Sequence, residues 1–264
     1  MSVSLVIPAR HGSTRFPGKP LARIKGQTML ARVVDIARQA VSDIPDATII
    51  VATEDERIAD HARELQVQCA LTSQECKTGT DRVYQTVKLL KITSEFIINF
   101  QGDAPFTPPH VIRSLIEDFL SGDKNKVITP VHQLSWKGLD QLRKSKKSTP
   151  FTGTTVVMNK NNEAIWFSKN ILPAMRNESD LRQKTALTPV WQHIGLYGYP
   201  RQILKDFIIL PSSYYEELEG LEQLRLLENG HRIKCVPVQV DSEMIHSGID
   251  SPEDIKSAER YLPD

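Results

Sequence analysis

Near-continuous apolar segments alternate with amphipathic stretches through the first half of the chain. The apolar segments read SLVIP, ATIIVAT, VQCALT, FIINF and KVITPV. An uninterrupted apolar run, rather than an alternation of apolar and polar residues, is typical of a strand covered on both faces in a parallel sheet. Between the first two segments, TMLARVVDIARQA places its apolar side chains on one stripe and most of its charged side chains opposite. This pattern predicts an amphipathic helix.

Two more helix starts follow in this half. Thr53 and Glu56 have the spacing of a capping box, and Thr107 followed by Pro108 is typical of a helix N-terminus. The predicted buried face of the later helix consists of Val111, Ile112, Leu115, Ile116 and Phe119. The alternation of strands and helices from residue 3 to about residue 131 therefore predicts an α/β fold with a Rossmann-like, doubly wound and mostly parallel sheet.

The second half of the chain is less regular. Residues 136–150 and 176–189 are polar and are predicted to be solvated connections, and the run RKSKK favours a solvated surface over a nucleic-acid contact because no aromatic residues interrupt it. Strands are predicted at GTTVVMN, AIWFS, WQHIGLYGY and RIKCVPVQV, which are rich in β-branched and aromatic residues. Helices are predicted at about 216–229 and 252–261. A β-rich region is thus inserted after the parallel half.

Charge and cysteine content narrow the class of protein. The 264 residues include 33 Lys and Arg and 32 Asp and Glu, for a formal charge of +1, so no net field attracts nucleic acid or an anionic membrane. Cys69, Cys76 and Cys235 are an odd number without metal-ligand spacing, which indicates reduced thiols. No apolar run approaches the roughly 20 residues of a membrane span, and no leader pattern opens the sequence. We therefore expect a soluble, cytoplasmic protein.

A local basic site stands out against this balanced background. The loop PARHGSTRFPGKPL follows the first predicted strand and contains Arg10, Arg15 and Lys19 between glycines and prolines. Ligands of open α/β sheets bind beyond the carboxyl ends of the strands, and glycine allows backbone N–H groups to approach phosphate oxygens. A polyphosphate fits this loop, although neither G-x-x-x-x-G-K-[ST] nor G-x-G-x-x-G is present. A solvated turn remains the alternative.

A carboxylate follows another buried strand. Asp103 in QGDAP comes directly after FIINF, at the edge where the basic loop is expected. Mg²⁺ prefers carboxylate, water and phosphate oxygens, so Asp103 is a candidate metal ligand. An ordinary turn aspartate explains the same position equally well.

Seven segments of this chain occur in the order found in one enzyme family. They read IPARHGSTRFPGKPL, VATED, TGTDRV, NFQGDAP, HIGLYGY, LEQLRLLENG and GIDSPEDI. Over essentially its whole length the chain resembles the 3-deoxy-manno-octulosonate cytidylyltransferases, the CMP-Kdo synthetases; related sugar-acid nucleotidyltransferases share the first segment in looser form. The resemblance implies a cytoplasmic homodimer that uses CTP and Mg²⁺ to make CMP-Kdo and pyrophosphate for lipopolysaccharide.

The resemblance also implies roles for residues. CTP would be bound by Pro8, Ala9, Arg10, Ser13, Arg15, Lys19, Thr78, Gly79, Thr80, Arg82 and Gln101. The metal would be held by Asp103 and Asp250, which with Lys19 form the catalytic set. The sugar acid would be bound by Gln101, Lys169, His193, Tyr197, Glu222 and Gln223. One domain over residues 1–264 would then contain a CTP-binding half (1–131), a β-rich sugar-binding and dimerisation part (132–200) and C-terminal helices with the metal-ligand segment (201–264).

Local patterns alone allow other roles for several of these residues. Thr78 and Asp81 are spaced as an ordinary helix cap, and Asp250 precedes Ser251 and Pro252 at a standard helix entrance. His193 could be a packed strand histidine. Glu222 and Gln223 could form the polar face of a helix whose apolar face is Leu218, Leu221, Leu224 and Leu227.

Three positions depart from the family pattern. Thr155 stands where the family has a lysine, Lys169 where it has an arginine after FS, and Ala104 where an acidic residue commonly follows QGD. The first two belong to the sugar-facing part. The alternatives are therefore a CMP-Kdo synthetase, a cytidylyltransferase for another 3-deoxy-ulosonic acid, and a nucleotide-binding protein without catalysis. The presence of Lys19, Asp103 and Asp250 argues against the third.

Overall fold

The computed structural model describes residues 2–12, 16–240, 249, 254–256 and 259. Three predicted site residues, Ser13, Arg15 and Asp250, lie outside the described residues, as does most of the helix predicted at 252–261.

The elements are as follows. The strands are β1 (Val3–Pro8), β2 (Arg23–Ile24), β3 (Gln27–Thr28), β4 (Thr48–Thr53), β5 (Gln68–Leu71), β6 (Phe96–Phe100), β7 (Val127–Ser135), β8 (Thr155–Met158), β9 (Ala164–Ser168), β10 (Leu187–His193), β11 (Leu196–Pro200) and β12 (Ile233–Pro237). The helices are α1 (Met29–Ala40), α2 (Glu56–Glu64), α3 (Gly79–Leu89), α4 (Pro109–Ser121), α5 (Trp136–Ser148), α6 (Glu178–Lys184), α7 (Arg201–Ile209), α8 (Tyr214–Glu219) and α9 (Leu224–Glu228), with a 3₁₀ turn at Lys19–Leu21.

In the described part of the chain one ten-stranded mixed sheet forms the centre of the fold. Its order is β5-β4-β1-β6-β11-β7-β10-β8-β9, and β12 pairs with β7. Strands β5, β4, β1 and β6 run parallel, whereas β11 pairs antiparallel with β6 and β7. The predicted parallel core and β-rich addition are both confirmed, and the structure shows that the addition joins the core by antiparallel pairing. The carboxyl ends of β1, β4 and β6 therefore meet at one edge, where ligands of such sheets bind.

Both faces of the parallel core are covered. Along β1, Leu5 and Ile7 pack into one buried cluster with α1 and α4, whereas Val6 packs into a second cluster with α3. Because successive strand residues face opposite sides, two apolar layers require a continuous apolar run. Gly198 of β11 is required for this packing, since a Cβ there would lie 2.1 Å from the Phe96 ring.

Two segments predicted as solvated connections contain helices. Residues 136–148 form α5, which is capped by the Ser135 side chain and buries Leu139 and Leu142. These two leucines are the only large buried side chains of α5, so the helical spacing of apolar residues is weak and most residues in the segment are polar or basic. Residues 178–184 form α6, which buries none of its residues and is tied to α5 by ion pairs from Glu178 and Arg182. The prediction of connections at 136–150 and 176–189 is wrong in this respect.

Two helix boundaries also differ from the sequence-based prediction. Helix α2 is capped by Asp55, which accepts from the backbone N–H of Arg57, and not by Thr53. The single helix predicted at 216–229 is two helices, because Gly220 has a left-handed backbone with φ of 61° and ends α8. Leu218 consequently lies 60% exposed rather than on a buried stripe.

Cys69, Cys76 and Cys235 are free thiols, as predicted. Among the described residues, no helix has both the length and the apolar character that crossing a bilayer requires.

Candidate active site

A cleft of about 190 Å³ opens at the carboxyl edge of the parallel strands. It is lined by Pro8, Ala9, Arg10, Lys19, Pro20, Cys76, Lys77, Thr78, Gly79, Arg82, Gln101, Gly102 and Asp103. These residues come from the loop after β1, the start of α3 and the turn after β6. The structure thus brings together most of the predicted nucleotide-side residues. Of the predicted nucleotide-side residues that the structure describes, Thr80 is the exception, since it is buried and does not line the cleft.

Close backbone contact forms the floor of the cleft. The Gly102 N–H donates to the Pro8 carbonyl at 3.2 Å, and a Cβ at residue 102 would lie 2.8 Å from that same oxygen. A side chain at this position would push the turn after β6 away from the end of β1. Gly102 therefore joins two of the three segments that build the cleft.

Helix α3 points its N-terminus into the cleft. Its cap is the predicted capping box: Thr78 Oγ1 accepts from the Asp81 N–H, and Asp81 accepts from the Thr78 N–H. The N–H groups of Gly79 and Thr80, in the first turn, have no acceptor within the helix. Together with the helix dipole, they make this end of α3 suited to a phosphate group.

Arg82 lies on the next turn of α3 and is almost completely buried. Its guanidinium forms an ion pair with Glu54, with Nη2 2.9 Å from Oε2, and also donates to Thr72. Glu54 in turn accepts from the His11 N–H at 3.0 Å, so it connects α3 with the basic loop. The sequence-based prediction did not assign Glu54 a role, and its position in VATED after β4 was the available signal.

Lys19 and Asp103 are in direct contact. Lys19 Nζ donates to Asp103 Oδ2 at 2.7 Å and to the Ile249 carbonyl at 2.5 Å. The Lys19 side chain is 10% exposed and that of Asp103 is 38% exposed, so the pair lies at the cleft surface. The 3₁₀ turn that positions Lys19 starts after Gly18, whose φ of 71° is readily adopted by glycine. The prediction assigned the two residues separate roles and did not anticipate the pair.

The groups around Asp103 can be compared with the ligands that a divalent metal ion prefers. Mg²⁺ usually keeps several waters and is bound by one or two carboxylates together with substrate phosphates. Among the described residues no group of three or more His, Cys, Asp or Glu could hold a metal, so a cage made of these side chains is excluded there. The Ile249 N–H donates to the Asp103 carbonyl at 3.3 Å, which places the residue that precedes Asp250 beside Asp103. This arrangement fits a metal that arrives with a polyphosphate.

A second group of predicted residues is buried and mostly neutral. Burial, and secondarily the nearby Lys169 ammonium, lowers the pKa of His193 to about 3, so its imidazole is uncharged at neutral pH. Thr129 Oγ1 donates to the Leu196 carbonyl, so its contact with His193 Nε2 at 2.9 Å is a hydrogen bond from the imidazole. Nδ1 is then an acceptor. The ring of Tyr197 lies 5.2 Å from that of His193, and burial raises the Tyr197 pKa.

Glu222 and Gln223 lie at the junction between α8 and α9, not on the polar face of one helix. Burial raises the pKa of Glu222 to about 7. Buried side-chain atoms without a hydrogen-bond partner in the described part of the chain include Glu222 Oε1 and Gln223 Nε2. An unsatisfied buried polar atom costs about 1–3 kcal/mol, which a polar ligand could recover.

The two positions that depart from the family pattern have defined contacts. Thr155 is fully buried; its hydroxyl donates to the Asn170 carbonyl at 2.7 Å and accepts from the Leu172 N–H at 3.0 Å. Thr155 therefore holds the loop after β9. Lys169 Nζ donates to Thr154 Oγ1 at 3.2 Å, and its carbonyl accepts from Lys146 Nζ at 2.5 Å.

Known proteins of similar sequence match the whole chain. A protein-family model described as cytidylyltransferase matches residues 4–233. The chain belongs to the cytidylyltransferase family. A 3-deoxy-manno-octulosonate cytidylyltransferase from Maricaulis maris is 41% identical over 262 residues, covering 99% of this chain and 97% of that protein. An 8-amino-3,8-dideoxy-manno-octulosonate cytidylyltransferase from Shewanella baltica is 35% identical over 263 residues, covering 99% of each.

A solved structure has the same fold as this cytidylyltransferase. It is that of a CMP:2-keto-3-deoxy-manno-octonic acid synthetase complexed with CTP, and it superposes with a TM-score of 0.82 at 30% sequence identity. The match covers 98% of both chains. The similarity therefore includes the parallel core and the β-rich addition alike.

Proposed function

We propose that this enzyme transfers CMP from CTP to the anomeric hydroxyl of 3-deoxy-D-manno-octulosonate (Kdo) and releases pyrophosphate. The observation that carries the proposal is the cleft that unites Lys19, the α3 N-terminus and Asp103 in a chain similar over its full length to Kdo cytidylyltransferases. The hydroxyl oxygen attacks the α-phosphorus, the bond from that phosphorus to the bridging oxygen breaks, and pyrophosphate leaves with the electron pair. The hydroxyl proton passes to solvent.

The nucleotide side of the cleft supplies positive charge and oriented donors. Phosphoryl transfer requires little covalent chemistry from a protein, so catalysis consists mostly of positioning and charge neutralisation. Arg10 and Lys19 would contact the phosphates as a guanidinium fork and a point charge, and the α3 N–H groups would bind a phosphate oxygen. Arg15 is expected to act with them.

Asp103 and Asp250 are the proposed metal ligands. When bound, Mg²⁺ would neutralise phosphate charge and lower the pKa of the attacking hydroxyl. Before substrate binds, the positive charge of Lys19 and the negative charge of Asp103 neutralise each other in an ion pair. A triphosphate would offer Lys19 a new anionic partner and leave the Asp103 carboxylate available to a cation.

The buried polar groups form the proposed sugar side. Kdo carries several hydroxyls and a carboxylate, and such a ligand needs mixed donors and acceptors. His193 would offer an acceptor, and Lys169 would supply a charge for the carboxylate. Glu222 Oε1 and Gln223 Nε2 have no hydrogen-bond partner among the described residues. Tyr197 and Gln101 would complete the pocket.

A second candidate substrate is a 3-deoxy-ulosonic acid that carries an amino group. Among the described residues the buried Glu222 Oε1 has no hydrogen-bond partner, so it could accept from an ammonium, and relatives named for an 8-amino sugar match at 35% identity. Lys169 in place of arginine weakens two-point recognition of a carboxylate, which fits an altered substrate as well.

The test measures pyrophosphate release from CTP with Kdo, with the 8-amino analogue and with other 3-deoxy-ulosonic acids. We expect Kdo to give the highest kcat/KM. A higher value for the amino sugar would select the second candidate. Absence of pyrophosphate release with every acid, together with tight CTP binding, would favour a nucleotide-binding protein without catalysis.

The proposal includes a homodimer in the cytoplasm. The apolar and aromatic strands around residues 154–199 would supply an isologous face. Light scattering after gel filtration measures the mass directly. A mass that corresponds to one chain of 29.8 kDa would contradict the dimer.

A further inference from the structure

A buried asparagine interrupts the apolar strand β6. Asn99 is 1% exposed and lies between Ile98 and Phe100, which both belong to one apolar cluster. By alternation, Asn99 shares the opposite face with Ile97, the face that packs against α3. Placing a polar amide there costs free energy unless its hydrogen bonds are satisfied. This residue had no role in the sequence-based prediction.

The Asn99 amide is paired at both ends. Gln101 Nε2 donates to Asn99 Oδ1 at 2.9 Å, and Asn99 Nδ2 donates to Thr80 Oγ1 at 3.0 Å. In this orientation each bond joins one donor to one acceptor, so the Asn99 and Gln101 amides are oriented as a pair. Asn99 thus links the cleft residue Gln101 with the first turn of α3.

The same contacts continue toward the proposed sugar side. Burial raises the pKa of Glu222 to about 7, and a hydrogen bond from Thr80 acts in the opposite direction. Tyr197 of β11 lies opposite Asn99 in the register of the two strands. Gln101, Asn99 and Thr80 therefore form a chain of side-chain hydrogen bonds that leads from the cleft to the first turn of α3, beside Glu222.

A second observation bears on the position of Gln101. A Cβ at Gly79 would lie 3.1 Å from both Gln101 Nε2 and Gln101 Oε1. The Gln101 amide therefore lies against the first residue of α3, and a Cβ at residue 79 would displace the amide by a few tenths of an ångström. The amide is held between Gly79 on one side and Asn99 on the other.

We propose that Asn99 is a positioning residue that directs Gln101 into the cleft and fixes which end of its amide faces substrate. Because Nε2 is engaged with Asn99, Oε1 and the second Nε2 hydrogen are left for the hydroxyl-rich substrate. This inference rests on the proposed function, in which Gln101 contacts CTP and the sugar acid. Without Asn99 the Gln101 amide would be free to rotate, and its substrate hydrogen bonds would form less often.

The test is a double-mutant cycle of Asn99→Leu and Gln101→Ala. Leucine keeps the branched arrangement of the asparagine side-chain heavy atoms, although its methyl groups are larger, and it removes both hydrogen bonds. We expect Asn99→Leu to lower kcat/KM for the sugar acid about tenfold in the otherwise wild-type enzyme, and less than twofold in the Gln101→Ala background. A tenfold loss that persists in the Gln101→Ala background would overturn the inference, because Asn99 would then act independently of Gln101.

Ser4→Ala is the matched control. Ser4 is fully buried at the other end of β1, and its hydroxyl is hydrogen-bonded to Thr48 and Ser94 at 2.7 and 2.8 Å. Its removal also costs two buried side-chain hydrogen bonds, so we expect a lower Tm with unchanged kcat and KM. A kinetic defect in Ser4→Ala equal to that of Asn99→Leu would assign the effect to stability alone and reject the positioning role.

Gly79→Ala provides a second route if Asn99→Leu does not fold. Alanine is a good helix former, and its Cβ would press on the Gln101 amide from the opposite side. We expect a similar kinetic defect that also disappears with Gln101→Ala; a defect that remains would contradict the inference. If the wild-type enzyme releases no pyrophosphate, the proposed function is wrong, and the same cycle measured as CTP affinity by calorimetry still tests the orientation of Gln101.

Discussion

The side chains on the two sides of the candidate site differ in their charge. On the nucleotide side the charges are balanced in pairs: Lys19 with Asp103, and Arg82 with Glu54. On the sugar side burial suppresses charge, so that His193 is neutral and the pKa of Glu222 rises to about 7. Under the proposed function a triphosphate would replace a partner in an existing ion pair, whereas a sugar acid would supply hydrogen bonds to buried groups that have no partner among the described residues.

This difference indicates where each substitution should act. Loss of a paired charge on the nucleotide side should affect turnover and CTP binding strongly. Loss of a buried polar group on the sugar side should alter stability and its pH dependence as well as sugar affinity. Substitutions on each side test that division.

We expect Asp103→Asn to lower kcat by at least about 100-fold while the protein remains folded. The amide is nearly isosteric but has no charge with which to hold a divalent cation. The measurement is pyrophosphate release at increasing Mg²⁺ concentration, with circular dichroism to verify folding. Asp123→Asn is the matched control, since Asp123 pairs with Lys126 at 3.1 Å outside the cleft. Normal turnover in Asp103→Asn would remove this residue from the metal site.

We expect Lys19→Ala to raise the KM for CTP about 10- to 100-fold and to lower kcat as well, because a charge-assisted contact to the triphosphate is lost. The KM for the sugar acid should change much less. Initial rates at varied CTP concentration measure the effect, and Lys205→Ala, on an exposed position of α7, serves as the comparison. If the dependence of the rate on CTP concentration did not change, the basic loop would be a solvated turn rather than a triphosphate site.

We expect Glu222→Gln to stabilise the protein at pH 8 and not at pH 4. In the native state the pKa of Glu222 is raised to about 7 from an ordinary value of 4.5, so the native state binds more protons than the unfolded state between those values. Stability contributed by this group is therefore lost as pH rises from about 4.5 to about 7. At pH 8 the variant should gain on the order of 1 kcal/mol.

The same variant should raise the KM for the sugar acid and leave the KM for CTP nearly unchanged. Thermal unfolding at the two pH values, combined with initial rates, measures both effects. An equal stability difference at pH 4 and pH 8 would show that the Glu222 carboxyl is not shielded from water as the structure indicates.

We expect Lys169→Arg to change the KM for the sugar acid by about threefold or less, with no effect on the KM for CTP. An arginine offers two parallel hydrogen bonds to a carboxylate where Lys169 offers a point charge, but the Lys169 backbone is already held by Glu219 and Lys146. Competition between Kdo and its 8-amino analogue gives the most sensitive measurement. Loss of activity on both acids would indicate that the other residues of the pocket are adapted to Lys169 and do not accommodate an arginine.

Local sequence determined the parallel half of this protein. The segments that became β1, β4 and β6 are mostly apolar because both faces of each strand are covered, and that requirement is visible in any short window. The capping box at Thr78 and Asp81 depends on residues three apart and was equally visible. Helix α5 was missed because its buried face is marked by only Leu139 and Leu142. The division at Gly220 was signalled by the glycine itself.

The contacts within the site depended on the tertiary structure. Lys19 and Asp103 are 84 residues apart, and their ion pair exists because β1 and β6 are neighbours in the sheet, which no local pattern specifies. The insertion of β11 between β6 and β7 likewise brought Tyr197 opposite Asn99, and packing of α3 on that face paired Asn99 with Thr80. Sequence patterns report which residues are buried and which are polar. The partners of the buried polar residues are decided by strand order and helix packing, because hydrogen bonds between distant segments form only once those segments are adjacent.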